Sequence, residues 1–330
     1  MAYVFEDRRQ ESNRRLESVR TSLSPALEAI AGTHGLPELA IYATGSLARR
    51  EATRHSDLDA FFMLQGSEKA NGIGRIRDVK IFHAVVVSAE EAEFPDFSND
   101  GEYLRFLHVD DVVNGIGGRD DDYKNNFTAR MLMMLESDWL YGKDAFESFQ
   151  EKIISAYFED FHDHSDQFRP LFLLNDVLRF WRTLCLNYEN ARNWRGAEDS
   201  RKSAKGHLGN LKLKFSRMNI CFSFITHLMS QGHHLTLENA VATAKQSPLG
   251  RLQSIAEIGT VERGAVNRML EEYDWFLRTT DKPKEEMLDW ISNAGNREDA
   301  FRCASSFVEA TGHLVRKVAD DNGYLRYLIV

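Results

Sequence analysis

The chain has 330 residues, 43% of them hydrophobic and 28% charged, enough to bury about two moderate cores without disulfide or metal staples. Its net charge of −9 excludes broad, nonspecific coating of nucleic acid, which needs a basic surface. No apolar run approaches the roughly 20 residues that span a bilayer, no apolar signal region follows the charged start at Glu6, and Cys185, Cys221 and Cys303 form no CxxC pair. The expectation is a protein without membrane segments, in a reduced cytoplasmic compartment.

In chain order, Leu16, Val19, Leu23, Leu27 and Ile30 recur at three- and four-residue steps and predict a helix over 5–32, closed by Gly32–Gly35. Leu39–Ala43 reads as a buried strand running into the turn Thr44-Gly45-Ser46, and Leu58–Leu64 as a second strand. Residues 71–93 carry two patterns: Ile73, Ile76 and Val79 fit a helix, whereas Val85-Val86-Val87 suits a strand. Ser98-Asn99-Asp100-Gly101 is a turn signal, and 103–109 alternates as a further strand. From about residue 126 helical patterns dominate, among them 127–140, 146–160, 172–190, 207–230, 236–246, 263–278 and 299–319. Tyr141-Gly142-Lys143-Asp144 breaks the pattern and sets a boundary near 140–150. The expected fold is α+β, with a small mixed-sheet domain over about 1–145 and an all-helical domain over about 146–330.

The stretch that carries chemistry is Ala43-Thr44-Gly45-Ser46, a spacer of ten residues, and then Asp57-Leu58-Asp59. Glycine after a strand lets the backbone turn sharply and leaves room for a phosphate. Ser46 is expected to open a short helix (SLARREATR) whose free N–H groups, with the hydroxyl, suit a phosphate oxygen. Residues two apart on a strand share a face, so Asp57 and Asp59 converge, and two such carboxylates need a counter-charge. Magnesium, a hard cation that binds oxygen, suits them beside a nucleoside triphosphate. The alternative is a plain turn, capped by Ser56-Asp57, that leads into a strand.

The segment GSLARREATRHSDLDAFFML resembles the signature of the DNA polymerase β-like nucleotidyltransferase superfamily: Gly-Ser, a spacer, then Asp-x-Asp on a strand. FPDFSNDGEYLRF, NNFTARMLMMLES, LLNDVLRFWRTLCLNYE and LKLKFSR are similar to segments of a bacterial group of nucleotidyltransferase-like proteins, and that likeness reaches from about residue 41 to 225. The resemblance implies a small mixed sheet with helices, Mg²⁺ and an NTP donor. It implies that Gly45 and Ser46 bind the triphosphate and that Asp57 and Asp59 hold metal. It also implies a third carboxylate that polarises the acceptor hydroxyl, for which Asp100 is the first candidate and Glu102 the second.

Further phosphate-binding candidates lie in the helical half. Asn175, Arg179 and Arg182 share one helix face, opposite an apolar stripe of Val177, Trp181, Leu184, Cys185 and Tyr188. Eight Lys/Arg against two acids between Arg192 and Arg217 make a basic island in an acidic chain. Within it, Lys212 and Lys214 sit on a helix with apolar residues on two sides, which places them near an edge or cleft. Arg130 reads as a structural ion pair, the His162–Asp166 cluster and His233-His234 as surface, and Gly115–Gly118 as a turn without the partners of a dinucleotide site. The expected reaction is transfer of a nucleotidyl group from an NTP to a hydroxyl acceptor (RNA, protein, a small molecule or a second nucleotide), in a cleft between the domains. The alternative is a noncatalytic protein that senses NTP on the same fold.

Overall fold

The computed structural model describes residues 3–68, 74–97, 104–159, 168–193, 200–232, 235–258 and 263–328. The chain is mostly helical, with a small four-stranded mixed sheet near the N-terminus. It divides into two compact units, Phe5–Ala156 and Tyr157–Val330, the second joined by Met1–Val4. The division falls at residue 156 and not near 145.

The first unit runs α1 (Phe5–His34), β1 (Leu39–Thr44), α2 (Gly45–Ala48), β2 (Asp59–Leu64), α3 (Arg75–Glu91), β3 (Phe106–His108), α4 (Val109–Asn114), α5 (Arg119–Tyr123), α6 (Asn126–Leu135), β4 (Asp138–Tyr141) and α7 (Lys143–Ser155). The strand order is β3-β2-β1-β4, antiparallel except for the parallel pair β2–β3. Alternation decides which side chains go where. Ile41, Ala43, Ala60, Phe62 and Leu64 join Leu16, Val19, Leu23 and Leu27 of α1 and Ile81, Ala84 and Val85 of α3 in one apolar core. Tyr42 and Phe61 point to the opposite face, where Tyr42 stacks on Phe61 at 5.7 Å and meets Phe146 of α7 at 5.8 Å.

Two local expectations change. Val85–Val87 is helical, because the face of α3 that packs on α1 is Ile81, Ala84, Val85, Ser88 and Ala89; Ile76 and Val79 face solvent instead. Burial on a helix face overrides the strand preference of β-branched residues. The helix expected over 127–140 stops at Leu135, and Asp138–Tyr141 is the strand that pairs with β1. Gly142, with φ +67°, turns the corner into α7. A Cβ there would lie 2.0 Å from the Leu39 carbonyl oxygen, so the break at Gly142 is a strand-to-helix corner inside the first unit.

The second unit is helical: α8 (Leu171–Asn193), α9 (Ser200–Lys212), a π-helical turn at Leu213–Arg217, α10 (Met218–Ser230), α11 (Leu237–Lys245), α12 (Pro248–Glu257), α13 (Arg263–Thr279), α14 (Lys284–Ser292), α15 (Ala294–Asp321) and α16 (Leu325–Leu328). Its centre is aromatic. Phe215 stacks on Phe276 at 4.7 Å and lies 5.0 Å from Phe307, while Tyr273 packs against both partners. Helix α10 is buried on almost every side. Among the described residues, no helix is long and apolar enough to cross a membrane.

Candidate functional site

The site forms where β1 ends. In the antiparallel register Thr44 faces Asp59, so the residue after Thr44 sits beside the first residue of β2. That residue is Gly45, at φ +71°. A Cβ on it would lie 2.9 Å from Asp59 Oδ2. The glycine is thus required twice, once by its left-handed backbone and once by the carboxylate packed against it. Asp57 and Asp59 are half-buried and flank the buried Leu58, as alternation requires, although Asp57 lies in the loop just before β2.

The helix opened by Ser46 is a single turn, Gly45–Ala48, and not the longer SLARREATR helix. Arg50 takes φ +65° and the Glu51 amide donates to the Ser46 carbonyl at 2.8 Å. The chain leaves helical geometry where two arginines are engaged by other elements, Arg49 at the end of α6 and Arg50 at β4. Arg49 pairs with Glu51 at 2.8 Å and with Glu136, all three buried, and Arg50 pairs with Asp138. Burial pushes the Asp138 carboxyl up, against the pull of Arg50 and Arg20. Any phosphate affinity here therefore rests on the N–H groups of one turn and the half-buried Ser46, with little helix dipole behind them.

The remainder of the spacer is a tight turn built by its own side chains. The Thr53 amide donates to Ser56 Oγ at 3.0 Å, the His55 amide to Thr53 Oγ1 at 3.0 Å, and the Ser56 amide to the Thr53 carbonyl at 3.1 Å. Helix α1 holds this turn from below. Ser12 Oγ accepts from the Ala52 amide at 3.0 Å, and the buried Arg15 donates to the carbonyls of Thr53 and Ser56. Burial draws the Arg15 guanidinium below its ordinary range; Glu11 and Asp57 act in the opposite sense.

Among the described residues, no group of three or more His, Cys, Asp and Glu is arranged to hold a metal ion. Asp57 and Asp59 are a two-carboxylate set, and that fits Mg²⁺, which commonly takes one or two protein carboxylates and fills its shell with water and substrate phosphate. Asp100 and Glu102, the candidates for a third carboxylate, lie outside the described residues, as do His162–Asp166 and His233-His234.

Arg179, Lys212 and Lys214 belong to the helical unit. Arg179 lies 3.4 Å from Asp176, which also accepts from the Tyr157 hydroxyl at 2.6 Å. The Lys214 ammonium sits 5.3 Å from the centre of the Phe301 ring. Lys212 is exposed at the end of α9. Arg130 makes a fully buried, two-pronged pair with Asp121 at 2.7 and 3.0 Å, and Gly115–Gly118 forms the turn between α4 and α5. Arg15, Arg49 and Glu136 carry no motif that marks them. Arg15 falls on the helix pattern one residue before Leu16, and Glu136 is 87 positions from its partner Arg49. Compared with known proteins, the chain matches no family model and no curated sequence.

Proposed function

We propose that the chain is a metal-dependent nucleotidyltransferase that moves an NMP group from an NTP to a hydroxyl acceptor and releases pyrophosphate. The observation that carries this reading is the seat of the Asp59 carboxylate against Gly45, 2.9 Å from where a Cβ would stand. Gly45 and Asp59, on the two sides of the ten-residue spacer, are thereby brought to one spot.

Asp57 and Asp59 would hold Mg²⁺, which when bound neutralises charge on the reacting phosphates. Ser46 donates its hydroxyl, and Gly45 admits a phosphate oxygen close to the backbone. The braces behind them, Arg49 with Glu136 and Arg15 with Ser56, keep the loop in place when no substrate is bound. Asp100 is proposed as the third carboxylate, and Arg179, Lys212 and Lys214 as phosphate-binding cations of the helical unit.

The test is incubation with each α-labelled NTP and Mg²⁺, first alone and then with cellular RNA or soluble protein. Wild type should release pyrophosphate and transfer label. Asp57→Asn and Asp59→Asn should lose about a hundredfold or more of that rate. Their Tm should stay level or rise, because a like-charge repulsion is relieved. Wild-type rates in either variant would overturn the assignment, and NTP binding without pyrophosphate release would favour the noncatalytic alternative.

A further inference from the structure

The two flanks of the apolar stripe of α1 each carry a buried or half-buried guanidinium group laid on an aromatic ring. The Arg15 guanidinium sits 3.7 Å from the centre of the Phe94 ring and donates to the carbonyls of Thr53 and Ser56, the latter at 3.0 Å. The Arg20 guanidinium sits 3.7 Å from the centre of the Trp139 ring and donates to the Trp139 carbonyl at 2.9 Å and to Asp138 at 3.1 Å. Both clamps rest a guanidinium on a ring and hold a backbone carbonyl, but Arg20 adds an ion pair to Asp138 and the two have different targets. Arg20 grips the edge strand β4. Arg15 grips the turn that ends at Ser56, the residue whose carbonyl carbon is bonded to the Asp57 amide.

We propose that Arg15 is the positioning residue that sets the cation affinity of the Asp57–Asp59 pair. The inference rests on the reading of these two aspartates as a cation site, but not on turnover. Asp59 is fixed by its place on β2 and by Gly45 beside it. Asp57 precedes the strand and has no ladder to hold its backbone. It follows directly on the turn 53–56, and two carbonyls of that turn are tied to the Arg15 guanidinium. Both bonds leave one nitrogen, Nη1, and the ring beneath holds the flat guanidinium that carries it. A lysine would keep the charge, but its ammonium ends one bond short of Nη1 and has no flat face to lay on the ring. The Arg15 side chain is also almost wholly buried, at 2% exposed. A guanidinium desolvated to that degree is held in place by its partners and has little freedom to follow a loop that moves.

The experiment is a Mn²⁺ titration without nucleotide, with free Mn²⁺ followed by electron paramagnetic resonance, on wild type, Arg15→Lys, Arg20→Lys and Asp57→Asn. Arg15→Lys should weaken Mn²⁺ binding about tenfold, the usual effect of a lost support behind a metal ligand. Arg20→Lys, an equal loss of bracing on the same helix, should lower Tm and leave Mn²⁺ affinity within about twofold. Should Arg15→Lys fail to fold, Phe94→Leu keeps the guanidinium, removes the ring that fixes it, and should weaken Mn²⁺ binding in the same sense. Unchanged Mn²⁺ affinity in a folded Arg15→Lys protein overturns the proposal. So does an equal loss in Arg20→Lys, or wild-type binding in Asp57→Asn. If Mn²⁺ binds as expected but no NTP is consumed, the proposal for Arg15 stands and the transferase reading falls.

Discussion

At the scale of single residues, two glycines with nearly the same backbone separate the site from the fold. Gly45 has φ +71° and Gly142 φ +67°, so alanine is strained at either, by about 1 kcal/mol. What a new Cβ would meet differs. At Gly45 it meets the tip of a side chain, Asp59 Oδ2, at 2.9 Å; at Gly142 it meets the backbone carbonyl of Leu39 at 2.0 Å. A carboxylate can swing aside, whereas a strand cannot. Gly45→Ala should therefore fold with a Tm only a few degrees lower and lose Mn²⁺ binding, while Gly142→Ala should unfold or lose several kcal/mol. Calorimetry with a Mn²⁺ titration checks both, and a Gly45→Ala protein with full Mn²⁺ affinity would contradict this geometry. The Gly45-Ser46 and Asp57-Leu58-Asp59 pieces could be read in the sequence because each rests on a local rule, a strand that ends in glycine and a period of two. The clamps could not, because a helix pattern marks which residues are apolar and says nothing of what a guanidinium on the next position will grip.

At the scale of elements, the segment left open between helix and strand and the segment misread as helix share a cause. Val85–Val87 and 136–141 are short, and their local preference is weaker than the burial offered by α1 and β1. The long amphipathic helices were legible because many positions agree. Helix α10 is different again: it hides a polar row. Asn219, Ser223 and Thr226, at most 1% exposed, follow one another at four- and three-residue steps. Their Nδ2, Oδ1, Oγ and Oγ1 atoms have no hydrogen-bond partner among the described residues. Buried groups left unmade cost about 1–3 kcal/mol each. Thr226→Val and Ser223→Ala should each raise stability by about 1 kcal/mol in chemical denaturation; a clear loss would mean that ordered water already satisfies them. Beside this row, His227 Nδ1 lies 2.9 Å from Thr243 Oγ1. Burial, with Arg251 nearby, pulls its pKa from 6.5 to about 4. The folded state then binds the proton less well than the unfolded chain. Its contribution is whole above pH 6.5 and is lost as pH falls towards 4. Between pH 7 and 5 wild type should lose about 2 kcal/mol more than His227→Gln, and parallel pH profiles for the two would remove His227 as the cause.

At the scale of the whole molecule, the division at Ala156 gives each part its own apolar centre, one under the sheet and one around Phe215, Tyr273 and Phe307. A fragment of residues 5–156 should therefore unfold in a single cooperative transition by circular dichroism, with no slope-like melt. A broad, noncooperative melt would show that its core is incomplete alone. The sequence points to two domains but places the boundary at the most visible break, Gly142, whereas the physical division at Ala156–Tyr157 has no glycine or proline to announce it. The π-helical turn at Leu213–Arg217 has a consequence of another kind. Such a turn holds one residue more than a regular helix needs, and each residue advances the helix by about 100°. Removing one residue there would close a regular helix and leave α9 and α10 in their present phase, with Ala204 and Leu211 still inside. Adding one residue would instead turn α9 about its own axis and carry Lys205 and Lys212 to the places now filled by Ala204 and Leu211. That exchange puts charged groups inside. Deleting Lys214 should thus harm the helical unit less than deleting a residue from the middle of α10, and the turn acts as a reserve of length that the two helices can give up without losing their phase.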